Sequence, residues 1–426
     1  MKVIIVGGGF GGLKLARQLN NKPGFEVLLI DKFNYHQFQP LFYQVATAGI
    51  DASNISFPLR KVFQKSKNVR IRLTELQQIV PSENKIITST GEEHYDVLVL
   101  ATGADTNFFN NKLLEEHALP MKTTVEALQL RYKLIQNFED ALTIKDGEEL
   151  QRLMNVVIVG GGPTGVELSG ALADMKRFVL PKDYPELDFS KMNIYLLEGS
   201  HKLLGAMSEK SSEQSKKYLE KLGVKVMTGA HVKDYDGKNI YLGDGQSISS
   251  ATVLWAAGIK GNIPNGVDSS LIARGNRIKV DRLNRVIGSQ NVYAIGDLAY
   301  METQHYPNGH PQVATVAIQQ AKLLSKNLER SKRGRTDLLE YEYKDKGSMA
   351  TVGRNLAVVD VPKPKLHFGG LMAWLIWMTL HLMLILGVKN RFFVFINWLY
   401  NYITYDQSLR LIFREQKKKN EPQKIS

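Results

Sequence analysis

The most constraining feature of this 426-residue chain is a pattern that occurs twice. Val3-Ile4-Ile5-Val6, a run of β-branched apolar residues, leads into Gly7-Gly8-Gly9-Phe10-Gly11-Gly12. Such a run reads as a strand buried on both faces of a parallel sheet. Gly7, Gly9 and Gly12 stand at the spacing of a dinucleotide-binding turn. The first glycine turns the chain sharply out of the strand, and the second lets the backbone approach a pyrophosphate. The third lets the next helix pack close to the sheet with its N-terminal amides toward the phosphates. The following strand, Val27-Leu28-Leu29-Ile30, ends in Asp31. A carboxylate about 20 residues past the glycines is what a ribose hydroxyl needs.

The pattern returns at Asn155-Val156-Val157-Ile158-Val159, with Gly160, Gly162 and Gly165 at the same spacing and a helical continuation from Val166 to Ala173. Its second strand, Asn193-Ile194-Tyr195-Leu196-Leu197, ends in Glu198. Each copy has a further apolar strand running into small residues: Tyr95 to Leu100 before Ala101-Thr102-Gly103, and Thr252 to Trp255 before Ala256-Ala257-Gly258. A whole dinucleotide-binding unit is therefore duplicated. Two units imply two dinucleotides, most commonly a bound flavin and an exchangeable nicotinamide. Glu198 favours NADH, since a carboxylate repels a 2′-phosphate; His201 and Lys202 behind it soften that preference. Asn291 to Asp297 delivers Gly296-Asp297 to a strand end, where the aspartate can accept from a ribityl hydroxyl. The segment Pro311 to Ala321 reads as a helix whose N-terminus points at the pyrimidine end of the flavin, stabilising negative charge there.

The length predicts two or three domains. There is no cysteine, which removes disulfides, thiolate metal sites and thiol catalysis together and fits a reducing compartment. No metal site is visible, and the strand at Val3 leaves no room for a signal peptide. The net charge of +13 suits an anionic membrane surface or nucleic acid, but the basic residues are scattered and no recognition module appears. Phe33 to Gln44 mixes aromatics and glutamines without period, either a loop lining an aromatic ligand or an ordinary packed loop. Ile79-Val80, with Leu76 before it, and Lys85 to Thr88 read as a small hairpin, and residues 121–153 as a polar helical connector.

With both glycine motifs, the Gly-Asp strand and the helix after it, the chain resembles the two-dinucleotide flavoprotein reductases. Lacking cysteine, it is unlike their disulfide-reductase and sulfide-oxidising branches. It looks like a type II NADH:quinone oxidoreductase, through Phe38-Gln39-Pro40-Leu41-Phe42-Tyr43-Gln44-Val45-Ala46 and the segment Tyr343 to Asn355. The resemblance covers nearly the whole chain. It implies an α/β fold of two Rossmann-like domains in a glutathione-reductase-like arrangement with a C-terminal helical membrane-anchoring region. The expected division is 1–115 with 262–335 for FAD, 116–261 for NADH and 336–426 for the anchor. FAD is expected at Gly7, Gly9, Gly12, Asp31, Lys32, Pro40, Leu41, Leu76, Ala101, Thr102, Gly103, Asp297 and Ala314. NADH is expected at Gly160, Gly162, Thr164, Gly165, Glu198, Ala257 and Gly258. Hydride would pass from nicotinamide C4 to flavin N5 and electrons on to a membrane quinone, without proton pumping. The resemblance also implies a homodimer, held at the cytoplasmic face of the cell membrane.

There are two departures from the family pattern. Members often carry Ala-Gln-x-Ala-x-Gln at the quinone end of the helix after Gly-Asp, where this chain has Ala314-Thr315-Val316-Ala317-Ile318-Gln319; many have a glutamate at Ala171. Thr315, Gln319 and Glu167 are the candidate catalytic residues, Glu167 at the nicotinamide side or as a plain helix-surface charge. Two other readings stay open at this level: a soluble reductase serving a ferredoxin-like protein, and a non-catalytic flavin protein that senses NADH.

From Leu371 to Val388 no residue is formally charged if His381 is neutral. At about 1.5 Å per residue that run barely spans a bilayer. A transmembrane helix, a buried core helix and an interfacial helix paired with a second one from Arg391 to Tyr405 all fit. Trp374, Trp377, Trp398, Tyr400 and Tyr402 suit the headgroup region, and Lys389, Arg391, Arg410, Arg414 and Lys417-Lys418-Lys419 suit anionic lipid, which favours the interfacial helix.

Overall fold

The computed structural model describes residues 1–413. The first glycine motif closes a parallel sheet with β1 (Lys2–Val6) at its centre. β2 (Glu26–Asp31) and β3 (Val69–Leu73) lie to one side of β1; β4 (Val97–Leu100) and a strand from far downstream, β9 (Val292–Ala294), lie to the other. The second motif closes another parallel sheet from β5 (Val156–Val159), β6 (Ile194–Glu198), β7 (Val224–Thr228) and β8 (Thr252–Trp255). Its order β7–β6–β5–β8 repeats β3–β2–β1–β4, so the sequence duplication is a duplication of topology.

Both faces of each sheet are covered, which is why the central strands read as unbroken apolar runs. On one face of the first sheet, α1 (Phe10–Leu19) and α4 (Ala314–Lys332) pack Leu15, Leu19, Leu324 and Leu328 against Ile5 and Leu29. The expected hairpin is present, Leu76–Val80 against Lys85–Thr88, with Gly91–His94 as a third strand. Two expectations need correction. Residues 121–153 form helices Thr124–Ala141 and Gly147–Met154, but they are not merely a polar connector, since Leu130, Leu134 and Phe138 are buried in the largest core cluster. The aromatic segment is not a loop throughout: Gln39–Leu41 is a 3-10 turn and Phe42–Ala46 a short helix (α2), with Phe38, Leu41 and Phe42 in the same cluster.

The C-terminal layer is an antiparallel sheet, β10 (Ser348–Gly353), β11 (Leu356–Val361) and β12 (Leu366–Gly369), followed by two helices. It sits on α3 (Pro163–Phe178), where a Cβ at Gly170 would lie 1.6 Å from the Val352 carbonyl oxygen; the bare glycine lets helix and sheet touch backbone to backbone. The apolar tail does not run on to Val388. α5 (Gly370–Leu384) stops at Ile385, which is extended at ψ 137°, and Gly387 at φ +86° starts α6 (Val388–Thr404) in a new direction. No described helix is long and apolar enough to cross a membrane. α5 buries Ala373, Trp377 and His381, four residues apart on one face, and leaves Met372 and Met383 largely in solvent. α6 buries only Val394 and Trp398 and exposes Phe392, Phe395 and Ile403. Side chains pin it down: Asn390 donates to the carbonyls of Ser53, Asn54 and Ser56, Asn401 to that of Gly49 (2.9 Å), and Trp398 to Gln44 Oε1 (2.7 Å). Trp377 and Trp398, expected at headgroup level, are therefore core residues. Arg414 and Lys417 to Lys419 lie outside the described residues.

Candidate functional site: two nucleotide cradles and a ring-sized cavity

The two glycine turns match bond for bond. Gly7 and Gly160 turn out of their strands at φ +107° and +112°, and each amide donates 2.7 Å to the neighbouring strand, at Ile30 O and Leu197 O. A Cβ at Gly12 would lie 1.8 Å from Gly7 O, and one at Gly165 1.9 Å from Gly160 O, so neither turn tolerates a side chain there. At Gly9 and Gly162 a Cβ would meet no protein atom within 4 Å. The second glycine of each turn thus faces open space at a helix N-terminus, the place where a diphosphate binds.

The acids repeat as well. Asp31 accepts from Gly8 N (2.5 Å) through one oxygen and from Phe33 N (2.6 Å) through the other. Glu198 accepts from Gly161 N (2.6 Å) and Ser200 N (2.7 Å) in the same way. Each carboxylate is oriented by backbone and keeps lone pairs free for ribose hydroxyls. Burial pushes the Asp31 carboxyl up, and the Gly8 and Phe33 amides oppose that shift. At the far end of the first cleft, Asp297 follows Gly296 at φ +74°, whose amide donates to buried Gln320. No described group donates to the Asp297 carboxylate, which burial raises against Lys122 and Arg277, so it is free to accept from a ligand. These residues fit an FAD in the first cradle and an NADH in the second.

The remaining expected contacts divide. Ala101 and Thr102 cross over the first turn, with Ala101 O 2.2 Å from a Cβ built at Gly7, and Gly103 follows at φ +70°. Ala256 and Ala257 do the same over Gly160, and Phe109 covers Gly258. Pro40 and Ala314 are part-exposed, Thr164 and Lys32 exposed, and Leu76 opens the hairpin just past the end of β3. Leu41 is wholly buried and packs inside the loop.

Thr315 and Gln319 do not stand free for a substrate. The Thr315 hydroxyl pairs with the Tyr343 hydroxyl (2.9 Å), and both amide atoms of Gln319 bond the backbone of Lys344 (2.9 and 3.1 Å). They stitch residues 343–344 to α4. Gln319→Ala is accordingly expected to cost about 1–2 kcal/mol of stability, read from a denaturant midpoint, with NADH:quinone turnover held within about twofold. A tenfold loss of turnover without a shift in midpoint would put the amide at the substrate instead.

Glu167 faces the C-terminal layer. It lines a cavity of about 150 Å³ together with Tyr43, Gln44, Ala171, Asp174, Trp377 and Trp398, and Arg354, Tyr402 and Tyr405 belong to the same lining. That volume matches one six-membered ring. Glu167 is 8% exposed; its Oε1 receives a long bond from Thr351 N (3.4 Å), and the Trp377 indole N–H nearby closes no well-formed hydrogen bond. Burial pushes the Glu167 carboxyl up to about 8. Gln44 bridges the Trp398 indole to the Tyr43 hydroxyl (2.7 Å each). His381, stacked on Trp377 at 3.9 Å and paired with its carbonyl, is pushed by burial down to about 4 and is neutral. Asp174 went unassigned in the sequence, Tyr43 appeared only within the family-like segment, and Trp377 was expected at headgroup level. The signal for Asp174 was the helical spacing of residues 167, 171 and 174, which share one face of α3.

Residues 1–321 match the profile of the pyridine nucleotide-disulphide oxidoreductases, and residues 346–404 that of the NDH2 C-terminal domain. The type II NADH:quinone oxidoreductase Ndh of Mycobacterium tuberculosis is 34% identical over 421 residues, covering 95% of this chain and 88% of the relative. A type II NADH:quinone oxidoreductase of Haemophilus influenzae is 29% identical, over 84% of this chain and 86% of its own. The structure of NDH2 from Plasmodium falciparum in complex with NADH superposes with a TM-score of 0.85 at 22% identity, covering 95% of this chain and 99% of that one, a likeness of fold.

Proposed function

Because the chain belongs to the pyridine nucleotide-disulphide oxidoreductases, and within them to the type II NADH:quinone oxidoreductases, we propose that it oxidises NADH and reduces a membrane quinone through bound FAD. The observation that carries this reading is the pair of matched cradles, one for a resident and one for an exchanging dinucleotide. FAD, when bound, accepts a hydride from NADH and hands two electrons to the quinone. Gly9, Asp31 and Asp297 hold it, and Gly162, Thr164 and Glu198 hold NADH. The division at 1–115 with 262–335, 116–261 and 336–426 follows these roles.

The cavity beneath α5 and α6 takes the quinone ring. Its indole walls exclude water, and Glu167, protonated at neutral pH, donates a proton to a quinone oxygen. This moves Glu167 from the nicotinamide side to the acceptor side. No proton crosses the bilayer in this scheme. α5 and α6 lie flat in the membrane surface, with Met383, Phe392, Phe395 and Ile403 among the acyl chains and Lys389 near anionic headgroups. The cytoplasmic face and a homodimeric state belong to the same reading.

The test is anaerobic. NADH should bleach flavin absorbance near about 450 nm, and a menaquinone analogue should restore it. Bleaching without recovery would shift the acceptor to a protein. Phe392→Asp with Ile403→Asp should release the protein from anionic vesicles in a flotation assay while NADH still bleaches the flavin; full retention of the double variant on vesicles would sink the interfacial placement.

A further inference from the structure

Quinone reduction consumes protons as well as electrons. The overall balance is NADH, one proton and quinone giving NAD⁺ and quinol: the hydride supplies two electrons and one proton equivalent, and one more proton comes from solvent. That proton has to reach a cavity walled by Trp377 and Trp398, both in the core. Glu167 is only 8% exposed, so its exchange with solvent runs through the cavity.

Only two carboxyls line this cavity among the described residues, and both stand on α3. Glu167 is at the inner end and part-exposed Asp174 at the mouth, about 10 Å apart along the helix axis. Ala171 lies between them on the same face and also lines the cavity, so a methyl group leaves the groove between the two acids open. Asp174 Oδ2 accepts from Arg354 N (3.0 Å), which fixes it at the mouth, and the Arg354 guanidinium is sandwiched between the rings of Tyr402 (4.0 Å) and Tyr405 (3.8 Å).

The other titratable groups around this path are poor carriers. Tyr43, paired with Gln44, is pushed by burial far above its ordinary value, and His381 is neutral behind Trp377. Around Asp174 the charged and titratable groups are Arg177 on its own helix, Arg354 on the turn after β10, Tyr402 on α6, Tyr405 just past its end, and Tyr43 on α2. Around Glu167 they are Tyr43 on α2 and, one indole away, His381 on α5. Burial lifts the Asp174 carboxyl to about 6 and that of Glu167 to about 8. A proton taken up outside therefore comes to rest on the inner acid.

We propose that Asp174 is the proton-entry residue for quinone reduction, passing protons from solvent through water along the Ala171 groove to Glu167. In each turnover the Glu167 O–H bond breaks as the quinol O–H bond forms, and the Glu167 carboxylate regains its proton from Asp174. This rests on the reading of the cavity as the quinone site.

The test uses flavin-loaded Asp174→Asn, whose side-chain oxygen still accepts from Arg354 N. NADH should bleach it at the wild-type rate, while flavin reoxidation by a menaquinone analogue slows at least tenfold and its solvent isotope effect rises. Acetate or azide should restore the rate, and Asp174→Glu should keep most of it. Two results would overturn the proposal: wild-type reoxidation by Asp174→Asn across the pH range, or slow reoxidation that neither the weak acids nor Asp174→Glu recover, which would reduce Asp174 to a strut for Arg354. If the wild-type flavin itself is not reoxidised by quinone, the acceptor reading fails on its own, a result distinct from either.

Discussion

Gly165→Ala is expected to leave the flavin bound and to lower kcat/KM for NADH about 100-fold, or about 2.7 kcal/mol of transition-state binding. The new Cβ would sit 1.9 Å from Gly160 O, a backbone atom that no rotamer can move aside. Gly160 is itself wedged against the Ala256 carbonyl and tied to Leu197 O, so the turn can relax only by opening. Opening it carries Gly161 N away from Glu198, loosening the carboxylate meant for the ribose, and shifts the α3 N-terminus meant for the diphosphate. The first cradle shares none of these atoms, so the ratio of flavin to protein absorbance should hold. Gly162→Ala separates a ligand effect from a folding effect. Its Cβ meets no protein atom within 4 Å and its φ of −72° suits any residue. It should leave the unfolding midpoint unchanged and still raise KM for NADH. Wild-type kcat/KM in both variants would take NADH away from the second turn.

What could be read from the sequence was what recurs locally. A glycine turn, its strand and its acid lie within one stretch of chain, and each residue type there has one mechanical reason. Hence both cradles, the Gly296-Asp297 strand end and the hairpin at Leu76 were visible before any coordinates. The tail was misread in two respects: apolar composition continues to Val388 although the helix ends at Leu384, with Ile385 extended and Gly387 at positive φ, and Trp377 and Trp398 lie in the core instead of at headgroup level. Thr315 and Gln319 looked free because their partners, Tyr343 and Lys344, arrive from 25 or more residues downstream. The cavity was hidden for the same reason. Its walls come from residues near 44, 167, 353, 377 and 402, joined only by the docking of the C-terminal layer on α3. Burial there, not sequence context, is what turns Glu167 from a helix charge into an acid.

Glu167→Gln should then make the protein more stable and less active at once. In the unfolded chain the carboxyl titrates near its ordinary value of 4.5, and in the fold near about 8. Between those values folding takes up a proton, so this group's contribution to stability falls as pH rises through the window and levels off above about 8. At pH 7 the gap of about 2.5 units corresponds to roughly 3 kcal/mol of penalty. Glutamine carries no such penalty and keeps an oxygen for Thr351 N. The variant should therefore gain stability at neutral pH, by on the order of 3 kcal/mol, and gain little near pH 4, where wild-type Glu167 is protonated in both states. Quinone turnover should fall about 100-fold, within the range for loss of a positioned acid, while bleaching by NADH persists. Wild-type turnover should decline above about pH 8 as Glu167 loses its proton, and the residual activity of the variant should show no such limb. A merely structural glutamate would lose stability and activity together. Undiminished quinone turnover in Glu167→Gln, or a stability change equal at pH 4 and pH 8, would remove Glu167 from the proton path, and Asp174 with it.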